Sequence, residues 1–511
     1  MTTRILVRSG CYHDSARLMQ VSRELSALPG IEEAVAMMGT ETNRRLLAEA
    51  GFAGADGGSA TPLDMIVGLR GDPEDAVAAA TASLDRLLSG GATSAGGPAA
   101  PERPGTVPEA LEARPAANLV SVAVPGPYAA FVAHRALDAG RNVFLFSDNV
   151  AVADEIALKR GAASFGLLVM GPDCGTAILA GVGLGFANRV ERGPVGIVGA
   201  SGTGIQELCS LLDRSGVGVS HAIGTGSRDL SAGVGGLMTE AGLGLLAKDP
   251  ATRALLLVAK HPDAGVAERL HGLLARLGKP VAVRYLGEGR RGEVDGVLYA
   301  GSLDEAAEAA VSRVASTPAV RAGLASSASD AVARRGEGEH RLVGLFGGGS
   351  LAAEARCVLE ARGIPTRVPE ERLAANAPLP PGNLVVDTGD DAYTIGRPHP
   401  MVDQTVRREL IRAAGSDRSV GVLLLDLVLG DGAHPDPAPE IVEAVAAARA
   451  ARGSRPLSVV ASVCGTRRDP QGTARQEETL RRAGVEVEPS AARAAATAAD
   501  FVLSVRQEVA R

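Results

Sequence analysis

Short apolar runs that alternate with amphipathic helical segments recur along most of this 511-residue chain. Residues 119–124, 142–146 and 167–170 are apolar almost throughout, and helical periodicity follows the first two runs. Strands that are apolar on both faces and alternate with helices are typical of parallel sheets covered on both sides. The sequence therefore predicts an α/β protein with consecutive doubly wound domains, one Rossmann-like and the others flavodoxin-like.

The domain boundaries are predicted from composition and from the positions at which the alternation of strands and helices begins again. Residues 91–115 and 317–339 are rich in small, polar and charged residues, which is typical of linkers. The predicted domains are a small α/β domain (1–90), a Rossmann-like domain (116–192) and two flavodoxin-type domains (193–316 and 340–511).

Composition also excludes several classes of function. Aromatic residues make up only 3% of the chain, Trp is absent and the net charge is −7, which argues against a nucleic-acid partner. No apolar run approaches the roughly 20 residues that span a membrane. The five cysteines form no C-x-x-C pair, as in reduced cytoplasmic proteins. We therefore expect a cytoplasmic protein that acts on small molecules.

Two glycine-rich turns each stand between a predicted strand and a predicted helix. The N–H groups and the positive dipole end of such a helix attract phosphate or carboxylate. Either turn alone is also compatible with an ordinary capped turn, whereas the pair predicts one anion held between two helix N-termini. The predicted phosphate-binding residues are Ser201, Gly202, Thr203, Gly204, Gly347, Gly348, Gly349 and Ser350.

Further polar residues follow predicted strands, where open parallel sheets bind their ligands. Cys174 is equally compatible with a small buried residue, and three aspartates after residue 386 leave Mg²⁺ binding open. Their spacing matches no dedicated metal loop, so no metal site is predicted. The predicted substrate-binding residues are Asp173, Cys174, Gly224, Thr225, Gly226, Asp390, Asp391 and Arg397.

One arginine and three histidines are the catalytic candidates. Arg228 lies in a glycine-rich loop and can bind a carboxylate or phosphate through two hydrogen bonds. His261 follows a strand and is placed to act as an acid or base, with His221 and His399 as alternatives. A single histidine is also compatible with a structural role.

Taken together, residues 171–176, 199–204, 221–226 and 391–401 resemble motifs of the FdrA family, and residues 464–472 fit the same family. More distantly, the chain is similar to nucleotide-forming acyl-CoA synthetases of the succinyl-CoA synthetase type. Residues 116–316 resemble their α subunit, and residues 340–511 resemble the ligase domain of their β subunit.

The FdrA resemblance implies one subunit of a hetero-oligomeric oxamate carbamoyltransferase in allantoin and purine catabolism. Its reaction converts oxalurate and inorganic phosphate into oxamate and carbamoyl phosphate. Two alternatives stay open at this point. One is an acyl-CoA synthetase-like enzyme, and the other is a scaffold that binds phosphate without catalysis.

The chain departs from the synthetases in three respects. Their phosphate-carrying histidine lies in a Gly-His-Ala-Gly loop, but the matching residues 281–296 contain no histidine. No segment is long enough for an ATP-grasp domain. The first Rossmann turn, residues 124–128, lacks G-x-G-x-x-G, which argues against CoA binding. No cofactor is therefore predicted, and phosphate is expected as a substrate.

Overall fold

The computed structural model describes residues 2–13, 15–49, 51–52, 59–89, 104–314, 341–374, 377–394 and 397–509. The chain forms two compact units, one of residues 1–114 with 393–403 and the other of residues 115–392 with 404–511. The predicted linker 317–339 and most of the linker 91–115 lie outside the described residues. The end of the latter contains a short helix, residues 107–113, that Thr106 caps.

The smaller unit contains an antiparallel sheet with strand order β1-β3-β2. Apolar side chains that alternate along these strands, such as Met65 and Val67, pack against Val21 and Leu25 of the first helix. This is the mixed α/β arrangement expected for the N-terminal residues. Its elements are β1 (Thr2–Arg8), α1 (Ser15–Ser26), β2 (Ile31–Met38), α2 (Glu41–Glu49), β3 (Met65–Gly71), α3 (Glu74–Ser89) and α4 (Val107–Ala113).

The larger unit begins with a three-stranded parallel sheet whose spatial order, β4-β5-β6, is also its order along the chain. Because right-handed crossovers that advance in one direction place their helices on one face, both helices cover the same side. The elements are β4 (Leu119–Val122), α5 (Gly126–Asp138), β5 (Asn142–Leu145), α6 (Val152–Phe165) and β6 (Val169–Met170).

An eight-stranded sheet follows, with strand order β13-β14-β12-β11-β9-β10-β7-β8. Its strands are β7 (Thr176–Leu179), β8 (Val182–Gly185), β9 (Arg192–Ala200), β10 (Val219–Gly224), β11 (Ala254–Lys260), β12 (Val281–Leu286), β13 (Gly292–Val294) and β14 (Val297–Tyr299). Its helices are α7 (Gly202–Arg214), α8 (Leu237–Lys248), α9 (Ala264–Leu274) and α10 (Leu303–Val314). The hairpin β7–β8 was not predicted, and it pairs with β10. The predicted boundary at residue 192 therefore falls within one sheet.

The last sheet is six-stranded and parallel, with strand order β16-β17-β15-β18-β19-β20. Its strands are β15 (Arg341–Phe346), β16 (Thr366–Arg367), β17 (Asn383–Asp387), β18 (Val420–Val428), β19 (Ser458–Cys464) and β20 (Glu486–Glu488). Its helices are α11 (Gly349–Ala361), α12 (Asp391–Thr394), α13 (Thr405–Ser416), α14 (Pro437–Ala451), α15 (Thr473–Arg482) and α16 (Ala491–Val509). Mostly parallel sheets with covering helices confirm the predicted α/β class.

None of the helices in the described residues is both long enough and apolar enough to cross a membrane.

Candidate functional site

The two glycine-rich turns predicted to bind an anion lie in contact within the larger unit. The hydroxyl oxygens of Ser201 and Ser350 are 2.5 Å apart, and the Ser350 N–H donates to the Thr203 hydroxyl over 3.3 Å. Ser201 precedes helix α7, and Ser350 lies in the first turn of helix α11. The N-termini of two helices from two different sheets therefore meet at one place.

The N-terminus of α7 is held by a cap that requires a glycine. Ser201 is extended, and its hydroxyl accepts a hydrogen bond from the Gly204 N–H over 3.1 Å. A Cβ at Gly204 would lie 2.3 Å from that hydroxyl oxygen. The first N–H groups of a helix have no acceptor within it. Those of Gly202 and Thr203 are thus the backbone donors that this helix offers to an anion.

The turn before α11 already holds an anion, the carboxylate of Asp426. The N–H groups of Gly347 and Gly348 donate to its two oxygens over 2.7 and 2.9 Å. Burial raises the pKa of Asp426, while Arg407, 3.0 Å away, and these two N–H groups act in the opposite direction. Gly347 and Gly348 were predicted to bind phosphate, but here an internal carboxylate occupies their N–H groups. Of the four residues predicted to bind phosphate at α11, Gly349 and Ser350 are the two whose N–H groups do not bind Asp426.

Lys260 and Asp387 both lie against Gly349, where a side chain would begin. The Lys260 Nζ is 4.0 Å from the Asp387 Oδ2. A Cβ at Gly349 would be 2.5 Å from that Nζ and 2.1 Å from that Oδ2. Burial raises the pKa of Asp387 to about 6, and the nearby ammonium opposes this rise. The first residue of α11 therefore touches both a cation and a carboxyl group.

Sequence analysis did not select Lys260, although its residue type carried a signal. Only four of the 52 basic residues are lysine, namely Lys159, Lys248, Lys260 and Lys279. Lysine is therefore rare in this chain, and its compact ammonium group binds an anion differently from a guanidinium.

Replacing Gly349 with alanine is expected to weaken binding of inorganic phosphate at least tenfold, because the added methyl group would displace Lys260 and Asp387. Gly349 lies in a helix, where alanine is otherwise the preferred residue, so the fold should persist. Isothermal titration with phosphate measures the change. Gly161→Ala in α6 is the matched control, since a Cβ there meets only open space. Unaltered affinity in G349A would move the anion site away from α11.

Several predicted substrate-binding residues come together in the larger unit. The Ser227 hydroxyl donates to Asp173 over 3.0 Å, and burial raises the pKa of Asp173 to about 6, with Asp148 and Asp391 contributing by charge. Gly226 has a φ of +86°, and a Cβ there would be 2.4 Å from the Pro172 carbonyl oxygen. The loops that contain Asp173 and Gly226 are therefore in close contact.

The side chains of Cys174 and Thr225 belong to the core. The Cys174 thiol contacts the Thr176 carbonyl oxygen at 3.5 Å, and burial raises its pKa to about 12. A Cβ at Gly224 would be 2.5 Å from the Cys174 Sγ. Thr225 is fully buried, with its hydroxyl 3.3 Å from that of Thr239. Cys174 thus matches the alternative of a small buried residue, and Gly224 leaves room for its sulfur.

Arg228 takes part in a network of charged residues that sequence analysis missed. Its guanidinium donates to Glu155 and to the Val150 carbonyl oxygen, each over 2.8 Å, and its side chain is 40% exposed. Glu155 also accepts from the buried Lys159, which in turn binds Asp229. Glu155 therefore already neutralises the guanidinium of Arg228, the group that was predicted to bind substrate.

The histidines are separated from one another. His221 lies inside β10 and pairs with Gly196, because β10 extends to Gly224 and not only to residue 222 as predicted. Its Nδ1 accepts from Ala180, and its Nε2 is 4.0 Å from Asp249, which lies at the amino end of the sheet. His221 therefore does not follow its strand, and the structure does not place it at the carboxyl edge.

His261 directly follows Lys260 at that edge. Its side chain is exposed, its φ is +37°, and a Cβ at Gly287 would lie 2.3 Å from its Cε1. The imidazole therefore lies over the loop that follows β12.

The polar loop predicted over residues 387–400 is divided between the two units. Asp390, which accepts from the Ala392 N–H, and Asp391 belong to the larger unit. Arg397, which is exposed, and His399 belong to the smaller one. Burial lowers the pKa of His399 to about 4, and its Nδ1 accepts from the Met401 N–H. No group of three or more metal-ligating side chains is placed to hold a metal ion in the described parts of the chain.

Comparison with known proteins relates the chain to CoA ligases. Residues 1–104 match a domain family described as "AllF, heavy metal-associated domain", and residues 321–501 match the CoA-ligase family. The uncharacterized protein YahF of Escherichia coli K12 is 36% identical over 522 residues, covering 98% of this chain and 99% of YahF. The α subunit 1 of the ADP-forming succinate–CoA ligase of Archaeoglobus fulgidus is 29% identical over 210 residues, covering 39% of this chain and 70% of that subunit.

Among solved structures, the dinucleotide-forming acetyl-coenzyme A synthetase 1 of Ca. Korarchaeum cryptofilum, in complex with phosphate and ADP, is 18% identical. Its TM-score is 0.33, and the match covers 77% of this chain and 84% of that one.

The turn between β4 and α5 does not fit CoA. Pro125 and Pro127 have no N–H, and the Tyr128 N–H donates to the Pro125 carbonyl oxygen. A Cβ at Gly126 would be 2.4 Å from the carbonyl oxygens of both Asp148 and Asn149, so acceptors rather than donors face this helix end. A pyrophosphate needs several N–H donors or cations there.

The topology of the three-stranded sheet leads to the same conclusion. Ligands of open α/β sheets bind where the strand order reverses, and the order β4-β5-β6 contains no reversal. The β4–α5 turn therefore lacks the donors, and the strand order lacks the reversal, that a nucleotide site of this type would use.

Proposed function

Because this chain belongs to the FdrA-like family that includes Escherichia coli YahF, we propose that its paired helix N-termini serve the transfer of a carbamoyl group to and from inorganic phosphate. Residues 321–501 of the chain match the CoA-ligase family. To this our proposal adds two points: the substrate carries a carbamoyl group, and the chain acts as one subunit of a hetero-oligomer. The observation that carries the proposal is the contact between the N-termini of α7 and α11 beside Lys260.

In the proposed reaction a phosphate oxygen attacks the carbamoyl carbon of oxalurate. The bond from that carbon to the bridging nitrogen breaks, and the nitrogen takes the proton that the phosphate loses. The products are carbamoyl phosphate and oxamate, so atoms and charge balance. The protein's task is to bind two anions next to each other and to move one proton.

The residues at the helix ends can perform the binding part of this task. The N–H groups of Gly202, Thr203 and Gly349 supply donors for the phosphate and for the oxyanion that develops on the carbamoyl carbonyl. The hydroxyls of Ser201, Thr203 and Ser350 lie between the two helices and add donors that rotate to suit the ligand.

Two groups near the helix ends are candidates for the proton transfer. Partial burial raises the pKa of Asp387 to about 6, which suits a group that exchanges a proton close to neutral pH. His261 is exposed at the same edge of the sheet, and its imidazole is suited to the same role. We assign the proton on the leaving nitrogen to one of these two groups.

The affinity for sulfate is expected to rise about three- to tenfold as the pH falls from about 7.5 to about 5. Sulfate keeps two charges over this range, whereas Asp387, with its raised pKa of about 6, gains a proton and stops repelling the anion. Asp387→Asn should bind tightly at both pH values, since the amide oxygen can still accept from Gly389. Isothermal titration measures all four affinities. His261→Gln is titrated in parallel, and if it abolished the pH dependence, the effect would belong to the imidazole.

An acyl-CoA synthetase-like enzyme is the second candidate. The match of residues 321–501 to the CoA-ligase family and the similarity to a succinate–CoA ligase α subunit favour it. Against it stand the β4–α5 turn, which lacks donors, and the missing histidine in residues 281–296. Under this candidate, another chain would have to bind the CoA.

The reverse reaction tests the proposal. Carbamoyl phosphate and oxamate are supplied to this chain alone and to the chain co-produced with the proteins of neighbouring genes, and both phosphate release and oxalurate are followed. Turnover that requires co-production and is lost in G349A would support a carbamoyltransferase subunit. CoA-dependent turnover of an acyl phosphate without oxalurate formation would replace it with the second candidate.

A further inference from the structure

Lys260 occupies a position where a cation is intrinsically unfavourable. Lys260 is the last residue of strand β11, and the residue before it, Ala259, pairs with Ala200. Because Ala200 directly precedes the residue that caps α7, Lys260 lies beside that cap. Its Nζ also lies against Gly349, the first residue of α11. Helix N-termini carry partial positive charge and disfavour cations. An ammonium group beside two helix N-termini is therefore destabilising when no ligand is bound. Such a locally unfavourable arrangement is typical of functional sites.

The Lys260 ammonium group is also poorly satisfied by the protein. Among the described residues its only charged partner is Asp387 at 4.0 Å, which is beyond hydrogen-bond distance, and the side chain is 37% exposed. Lys279, in contrast, donates to two carbonyl oxygens over 2.9 and 2.6 Å. An ammonium group has three donors, and in the described part of the chain no protein acceptor lies within hydrogen-bond distance of the Lys260 Nζ.

The balance of charge around Lys260 indicates what this ligand is. The carboxylate of Asp426 is compensated by Arg407, whereas the carboxyl group of Asp387 lies against Gly349 and Asp390 acts on it by charge. Two helix N-termini and one ammonium group therefore lie beside the Asp387 carboxyl group, and the positive charge at the helix ends exceeds its single negative charge. Such a surplus suits a doubly charged anion with several acceptor oxygens better than a carboxylate.

We propose that Lys260 is a specificity-determining residue, which binds the phosphoryl group of inorganic phosphate or of an acyl phosphate and so selects it over a carboxylate at the helix ends. The inference rests on the proposed function for the identity of the reaction, but its test by direct binding does not. The carboxylate of the second substrate would then lie elsewhere.

Titrations with phosphate, sulfate and oxamate compare the wild-type chain with Lys260→Gln and Lys260→Arg. Lys260→Gln is expected to weaken phosphate and sulfate binding about 10- to 100-fold, because a charge-assisted hydrogen bond is lost. Oxamate binding should change less than about twofold. Lys260→Arg keeps the charge and should recover part of the loss. Lys248→Gln removes the same charge from an exposed position in the last turn of α8 and is the matched control.

The outcomes separate this inference from the proposed function. Equal phosphate affinity in Lys260→Gln and the wild type, or equal losses for phosphate and oxamate, would overturn the role of Lys260 even if carbamoyl transfer is observed. A selective loss of phosphate binding without carbamoyl transfer in any sample would keep the role of Lys260 and reject the proposed reaction. In the active complex, Lys260→Gln should raise the KM for phosphate and leave that for oxalurate unchanged. Thermal unfolding of each variant checks that the fold is retained.

Discussion

Replacing Lys159 with methionine is expected to lower the free energy of unfolding by about 3–5 kcal/mol. The Lys159 side chain is fully buried, and its Nζ donates to Glu155, to Asp229 and to the Thr225 carbonyl oxygen, each over 2.8 Å. Methionine has a similar length but no charge. Two buried carboxylates would then lie close together without the cation that joins them.

The destabilisation should depend on pH in a defined direction. Burying a carboxylate without a cation penalises its charged form, and the addition of a proton relieves this penalty. The penalty is therefore largest at high pH and shrinks as the pH falls. Urea unfolding at about pH 8 and pH 5, followed by circular dichroism because the chain has no Trp, measures both effects. Lys248→Met, at an exposed position, should change stability by less than about 0.5 kcal/mol. A similarly small effect in Lys159→Met would mean that water reaches the network.

The Lys159 network has consequences for the site because it fixes a loop. Lys159 holds the Thr225 carbonyl oxygen, while Asp229 accepts from the N–H and the hydroxyl of Thr239. These bonds anchor both ends of the loop whose Ser227 contacts Asp173. Loss of the network should therefore disorder this loop before it affects the N-termini of α7 and α11.

The α/β class and the two glycine-rich turns could be predicted because their signals are local. A strand buried on both faces is apolar at nearly every position, as in β18 apart from Asp426, and a turn that opens a helix shows its glycines and hydroxyls within a few residues. The hairpin β7–β8 escaped prediction because its strands have four residues each and β8 is largely exposed, so it shows no buried run.

The partners of these turns could not be predicted because they come from distant parts of the chain. Asp426 meets Gly347 across 79 positions, and Ser201 meets Ser350 across 149. Without these contacts nothing marks Asp426 as the carboxylate that occupies two glycine N–H groups. The error at His221 had a local cause, since two further residues of β10 pair with β9 and place the imidazole inside the strand.

Arg407→Met is expected to lower the free energy of unfolding by about 3–5 kcal/mol as well, because it leaves Asp426 buried without a cation. Arg407 also donates to the Leu345 and Asp426 carbonyl oxygens, over 3.0 and 2.6 Å. In the variant the pKa of Asp426 should rise further, so the loss of stability should be smaller at pH 5 than at pH 8. Urea unfolding of Arg407→Met, Asp426→Asn and the double variant gives their coupling energy. A coupling below about 0.5 kcal/mol would show that the ion pair contributes little.

This variant also separates stability from binding at the same helix end. Arg407 supports α11 through Asp426, whereas Gly349 and Lys260 lie on the side open to a ligand. Folded Arg407→Met should therefore change phosphate affinity much less than G349A does, although it is far less stable. If Arg407→Met instead abolished phosphate binding while folded, Asp426 and its two N–H donors would have to be counted as part of the anion site. The internal carboxylate would then act as a group that the arriving phosphate displaces.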